Sequence, residues 1–260
     1  MADITTSLGL RPLSGHLAAE VLAPLADVLV DDGLQSSLRA ALPDHGVLVM
    51  RGASPTPAQQ IELADVFGEA RPPLGQNPRH PDHSLVCVFD SDGGYKADKW
   101  HTDETFVDQP CSGAVLSMQV KPEVGGDTVW TSTEAAYDAL SNGMKTLLDN
   151  RRARHEINED NFAIHPVIQT HPLTGRKCIY VNDIFTRGII NLPPTESDAI
   201  LPFLIRHVQR PDFSYRHMWH DGDVVIWDNR CTQHYALNDF AGRRVVHRVE
   251  FHAEPFATTD

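Results

Sequence analysis

Positive charge is scarce in this chain. Against 35 aspartates and glutamates stand 22 lysines and arginines, a formal net charge of −13 at pH 7. A surface so biased repels phosphate backbones and anionic headgroups, so no nucleic acid and no membrane is expected as a partner. A small anionic substrate is still compatible, because a local arginine cluster can act inside an acidic protein. Long apolar runs are missing too: no stretch approaches the roughly 18 residues that a membrane-spanning helix needs. The opening residues, Met1-Ala2-Asp3-Ile4-Thr5, have neither the basic start nor the apolar core of a signal peptide. Cysteine is sparse. Cys87, Cys111, Cys178 and Cys231 stand alone, with no C-x-x-C pair and too few for a disulfide scaffold. They read as free thiols in a reducing compartment, so a cytoplasmic location is expected. Internal repeats, low-complexity tracts and linkers are absent. The remaining bounds, 260 residues of which 41% are hydrophobic, suit one domain over residues 1–260 with a substantial core.

What is present alternates between short strands and a few helices. Helical spacing runs through Leu34, Leu38, Ala41 and Leu42, and again from Ala58 to Phe67, where Thr56-Pro57 offers an N-cap followed by proline at the first helical position. One helix is expected from Thr133 to Leu148 and another from Glu196 to Gln209. Strands are expected at Val47–Met50, Leu85–Phe89, Ala114–Val120, Thr128–Thr131, Val167–Thr170, Cys178–Val181, Phe213–Trp219, Val224–Trp227 and Val245–Phe251. Residues 70–84, rich in Pro, Arg and His, read as a loop. Many short strands with Gly- and Pro-bearing turns imply an α+β chain built on a double-stranded β-helix (jelly roll) core with flanking helices.

The chemistry starts at Lys99-Trp100-His101-Thr102-Asp103-Glu104. Side chains two apart on a strand share a face, so His101 and Asp103 can converge on one point. They supply two of the three groups of a 2-His-1-carboxylate site, which suits non-haem Fe(II) and leaves coordination positions open. The pair alone does not establish a metal site, since a strand histidine is commonly just packed and hydrogen-bonded. Downstream, Trp227-Asp228-Asn229-Arg230-Cys231-Thr232-Gln233-His234-Tyr235 runs a strand into a polar turn and then a histidine. Arg244, Val246 and Arg248 follow on one strand face by the period of two. The bland interpretation is a solvated basic edge; the functional one is a pocket wall clamping carboxylates, which guanidinium does bidentately.

Together these blocks resemble the taurine dioxygenase (TauD/TfdA) family of Fe(II)/2-oxoglutarate-dependent oxygenases. The resemblance rests on W-H-T-D at Trp100–Asp103, G-G-D-T at Gly125–Thr128, T-H-P at Thr170–Pro172, W-D-N-R-x-T-Q-H-Y at Trp227–Tyr235 and R-R-x-x-H-R ending at Arg248. It covers roughly residues 10–255 in family order. It implies that His101, Asp103 and His234 bind Fe(II), and that Arg244, helped by Thr128, takes the distal carboxylate of 2-oxoglutarate. It places Arg248 near an acidic group of the substrate. The activity implied is oxidation of a small organic molecule by O₂, coupled to decarboxylation of 2-oxoglutarate to succinate and CO₂. Because Asp103 is present, hydroxylation or a related oxidation is favoured over halogenation.

Two departures from the taurine-oxidising pattern stand out. Glu104 follows the H-T-D where those members carry a small apolar residue; a carboxylate facing the pocket would repel a sulfonate and attract an ammonium. The segment from Leu148 to His165 is shorter than the lid-forming insertion of those members, and Pro72-Pro73-Leu74 lacks their sulfonate-binding histidine. The expected substrate therefore carries an acid, and with Glu104 an amine, rather than being taurine itself. Self-association into a homo-oligomer is compatible with the sequence. Two other classes fit part of the pattern: a non-catalytic jelly-roll metal-binding or sensor protein, and a metal-assisted hydrolase with Glu104 as base.

Overall fold

The structure is a computed structural model and describes residues 7–75, 77–94, 98–253 and 256; Met1–Thr5, read above for signal-peptide features, lie outside them. The larger sheet holds β1 (Leu10–Pro12), β2 (Ala19–Val21), β3 (Val47–Met50), β4 (Glu69–Arg71), β5 (Cys87–Asp90), β6 (Gly113–Val120), β14 (Val224–Asp228) and β16 (Val245–His252). Its order is β1-β2-β3-β14-β6-β16-β4, and β5 shares the β16 edge with β4. A smaller antiparallel sheet sets β7 (Thr128–Ser132) between β13 (Ser214–His217) and β15 (Thr232–Ala236).

The alternation of side chains explains how the layers stack. On β3 and β14, Val47, Val49, Val225 and Trp227 pack toward Trp130, Tyr215 and Trp219 of the smaller sheet and its margin. Their neighbours Leu48, Met50, Val224 and Ile226 pack the other way, against Leu34, Leu38 and Leu63. Those leucines come from α2 (Asp32–His45) and α3 (Pro57–Asp65), which with the short α1 (Leu25–Val30) cover the outer face of the larger sheet. The two sheets and their shared core form the jelly roll, and the flanking helices complete the α+β arrangement. The N-cap reading holds: Thr56 and Gln59 make a capping box ahead of Pro57.

A third core gathers the remaining helices, α4 (Thr133–Asp138), α5 (Asn142–Leu148) and α6 (Pro194–Val208), over two further small sheets. One pairs β10 (Ile168–Thr170) with β11 (Lys177–Ile179); the other sets β8 (Arg152–Asn158) between β9 (Asn161–Pro166) and β12 (Thr186–Ile189). The expected single helix over 133–148 is two, because the Ser141 side chain accepts from Met144 N–H and starts a new helix. The β8–β9 hairpin and β12 were not anticipated. Their alternation is hidden by polar and charged residues on the open face, as in Arg152-Ala153-Arg154-His155-Glu156.

Candidate metal centre and its two cavities

His101 does not sit on a regular strand, as its spacing to Asp103 suggested. It forms a single bridge with His234, each backbone N–H donating to the other's carbonyl at 3.0 and 2.8 Å, and the chain then turns through Asp103. The turn is fastened by Asn229. Its side-chain oxygen accepts from the Asp103 N–H at 2.9 Å, and its amide donates to the carbonyls of Asp103 and Cys111 at 3.0 and 2.9 Å. Thr102 Oγ1 donates to the Thr232 carbonyl at 2.9 Å. Convergence of His101 and Asp103 thus comes from a turn stitched to the loop between β14 and β15, not from strand alternation.

The three side chains come together with one ligand atom each, all within 4.8 Å of one another and all buried. His101 Nδ1 lies 2.8 Å from the Lys99 carbonyl. A carbonyl only accepts, so Nδ1 carries the proton and Nε2 turns its lone pair inward. His101 Nε2 is 3.5 Å from Asp103 Oδ1, and His234 Nε2 is 3.8 Å from Asp103 Oδ2. Burial and then the neighbouring His101 lower His234 to about 3, so it is neutral at pH 7. Burial alone would raise Asp103, but Arg248, then His234 and His101, hold it far below the ordinary carboxylate range. Asp103 Oδ2 is buried and has no hydrogen-bond partner among the described residues. An anionic oxygen left unsatisfied beside two imidazoles is what a resident cation would relieve. Two nitrogens and one oxygen, with open positions, fit Fe(II).

Two cavities meet at this point, and His101 and Arg248 line both. The narrower, about 70 Å³, is also lined by His234, Thr128, Arg244 and Trp227. Arg244 Nε donates to the Gly126 carbonyl at 3.0 Å, and a terminal nitrogen lies 3.5 Å from Thr128 Oγ1, which also accepts from Trp219 Nε1 at 3.1 Å. Gly125 and Gly126 both take positive φ, and a Cβ on Gly126 would press on Arg244 Cδ at 3.2 Å, so the glycine turn shapes the arginine's berth. The nearby acid, Asp127, is engaged by Arg216 at 2.7 Å. No carboxylate pairs with Arg244 among the described residues, and burial lowers the guanidinium to about 10. The adjacent Arg243 points away, bonded to Asp90 at 2.6 Å and exposed.

The wider cavity, about 690 Å³, lies on the other side of Asp103 and Arg248. Glu104 lines it, buried rather than turned to solvent. Its Oε2 accepts from the Cys111 N–H at 3.0 Å, and its φ is +59°, a left-handed conformation uncommon outside glycine. Arg248 donates to Asp103 Oδ1 at 3.1 Å and contacts Glu250 Oε1 at 2.5 Å, with its guanidinium over the Phe89 ring. These two acids offset the charge of Arg248. Burial, then Asp103, raises Glu104; burial raises Glu250 to about 8 against the pull of Arg248. Glu250 went unnoticed in the sequence, although the period of two that linked Arg244 to Arg248 also places it on that face.

The remaining motifs are structural. His171 of T-H-P accepts at Nδ1 from the N–H groups of Leu173 and Thr174, and its Nε2 lies 3.0 Å from Asp228. Arg230 holds the same carboxylate at 2.6 Å.

A sequence model described as "Taurine catabolism dioxygenase TauD, TfdA family" matches residues 9–249. The chain belongs to the TauD/TfdA family. An alkylsulfatase of Acinetobacter baylyi is 32% identical, the alignment spanning 96% of this chain and 86% of that protein. An alpha-ketoglutarate-dependent sulfate ester dioxygenase of Pseudomonas putida is 31% identical, over 95% and 90%. Among solved structures, a taurine dioxygenase from Burkholderia xenovorans superposes with a TM-score of 0.88 at 30% identity, covering 96% of this chain and 91% of that one. Within this TauD/TfdA chain no described helix is long and apolar enough to cross a membrane.

Proposed function

We propose that this chain is one catalytic domain, an Fe(II)- and 2-oxoglutarate-dependent oxygenase of the cytoplasm, acting on a small organic substrate. In this reading His101, Asp103 and His234 hold Fe(II), Arg244 and Thr128 take the distal carboxylate of 2-oxoglutarate, and the wider cavity takes the substrate. One observation carries it: Arg244 is a half-buried cation with no carboxylate partner among the described residues, in a narrow cavity that opens on the two histidines. A metal alone needs no such group, which disfavours a structural or sensing role. A hydrolase would need a free base, and the Glu104 carboxylate is tied to the Cys111 amide.

When bound, Fe(II), 2-oxoglutarate and O₂ supply the oxidising power, and 2-oxoglutarate leaves as succinate and CO₂. The chain's share is positioning and exclusion of water. The Lys99 carbonyl fixes the His101 tautomer. Arg248 occupies Asp103 Oδ1 and leaves Oδ2 for the metal. Trp130 and Trp227 pack on the His234 ring and keep its surroundings dry. The test is succinate release that requires both Fe(II) and 2-oxoglutarate, measured on wild type and on His234→Ala. Undiminished release by the variant would sink the ligand assignment.

A further inference from the structure

A substrate cavity in which an arginine stood alone would draw anions. Here Arg248 meets two acids, Asp103 at 3.1 Å and Glu250 at 2.5 Å. Glu250 is only 2% exposed, lines the cavity, and its Oε1 has no further hydrogen-bond partner. Glu104 reaches the same spot from the opposite side, is hydrogen-bonded to Glu250, and is fixed by the Cys111 and Leu74 amides. Its left-handed backbone is strain held in place by that packing, of the kind that gathers at binding sites. Asp103 already pairs with Arg248, so burying Glu250 and Glu104 as well adds acid beyond a one-to-one ion pair, and it costs desolvation. Away from this pole apolar side chains such as Phe106, Ile184 and Phe185 line the cavity, alongside the neutral amides of Asn77, Asn158 and Asn161.

We infer that Glu250, acting with Glu104, is the specificity-determining residue of the wider cavity, selecting substrates with an amine on an apolar body and rejecting sulfonates and carboxylates. The inference rests on the proposed function for the identity of this cavity as the substrate site. The mechanism is electrostatic. Asp103 pairs with Arg248 from within the protein, and Glu104 and Glu250, hydrogen-bonded to each other through one proton, add a further negative charge between them, so an incoming anion finds no unspent positive charge and meets two acids at close range. An ammonium finds carboxyl oxygens held by a rigid frame. Specificity here comes from repulsion of the wrong head group as much as from attraction of the right one.

Four probes with one apolar body separate the head groups: hexylamine, hexanol, hexanoate and hexanesulfonate. Their binding to the anaerobic Fe(II)- and 2-oxoglutarate-loaded protein is measured by calorimetry, with wild type and the double variant Glu104→Gln/Glu250→Gln. Wild type is expected to bind hexylamine more tightly than hexanesulfonate by about tenfold or more. The double variant, which keeps the shape and removes the charge the two acids share, is expected to narrow that ratio by about tenfold. Residues that merely braced Arg248 would weaken all four probes alike and leave the ratio unmoved. Tighter binding of hexanesulfonate by wild type, or a ratio unchanged in the double variant, overturns the inference. Because wild type alone gives the preference, a poorly folded variant does not rescue it. Affinity for 2-oxoglutarate is measured separately: its absence would overturn the proposed reaction, whereas a reversed head-group order with 2-oxoglutarate bound overturns only the substrate class.

Discussion

Replacing Arg244 with methionine should have opposite effects on cosubstrate binding and on the stability of the ligand-free protein. The guanidinium is held at about 10 instead of its ordinary 12.5, chiefly by burial. That difference means its charge is destabilised by roughly 3 kcal/mol relative to water. Its partners are one carbonyl, Gly126 at 3.0 Å, and the Thr128 hydroxyl at 3.5 Å, neither of them anionic. An arriving carboxylate recovers the deficit, so removal of the arginine should weaken 2-oxoglutarate by about 2–5 kcal/mol, a factor of roughly 30 to several thousand. The ligand-free variant loses these two hydrogen bonds, the longer one weak, together worth about 1–2 kcal/mol, and sheds the half-buried charge. Its unfolding free energy should therefore match or exceed that of wild type. Arg244→Lys should recover only part of the binding, because an ammonium cannot make the forked contact. The assays are anaerobic calorimetry of 2-oxoglutarate binding and urea unfolding without ligand. Unchanged 2-oxoglutarate affinity in Arg244→Met would refute the assignment. A large loss of stability in the ligand-free variant would show that the charge is structurally satisfied.

Thr128→Val should weaken 2-oxoglutarate more modestly, by about 1 kcal/mol or several-fold, because the hydroxyl is shared with Trp219; calorimetry with no change would remove Thr128 from the site. Gly113→Ala should destabilise the protein by about 1–3 kcal/mol through overpacking, since a Cβ there would stand 2.3 Å from both the Trp227 carbonyl and the Phe251 ring; an unshifted urea midpoint would contradict the close packing of β6 on β14 and β16. Acid should weaken the fold through His155, which burial, then His165, hold at about 3 against an ordinary 6.5. A depressed value means the stability is complete above pH 6.5 and is lost as pH falls from there toward 3, amounting to about 2 kcal/mol by pH 5. Urea unfolding at pH 7.5 and pH 5 should show this loss shrinking in His155→Gln, and an equal loss in both proteins would place the acid sensitivity elsewhere.

The jelly roll was legible in the sequence because its central strands are apolar on both faces. Val47–Met50 and Val224–Trp227 read as buried runs and lie side by side between two cores. The β8–β9 hairpin was not legible, because its outer residues are charged and its inner ones, Ala153 and His155, do not announce a strand. Ser141 divides α4 from α5 by a capping bond, a local effect that apolar periodicity cannot report. At the site, the resemblance implies that His101, Asp103 and His234 meet, as they do, but the strand alternation read for His101 and Asp103 is not the means. A turn clamped by Asn229 brings them together, and that asparagine is one residue beyond the strand whose spacing drew attention. Arg248 falls where the resemblance places an arginine near an acidic group of the substrate, and the sequence does not show its partners within the chain. Its engagement by Asp103, 145 positions away in sequence, appears only in three dimensions.

The central claim is that Fe(II) and 2-oxoglutarate are bound together at this triad, and their weak visible charge-transfer absorption tests it most directly. Under anaerobic conditions the band should appear only when protein, Fe(II) and 2-oxoglutarate are all present. It should be absent with Zn(II) and with Asp103→Ala. Failure of wild type to develop the band at saturating Fe(II) and 2-oxoglutarate, or its full development in Asp103→Ala, would contradict the claim.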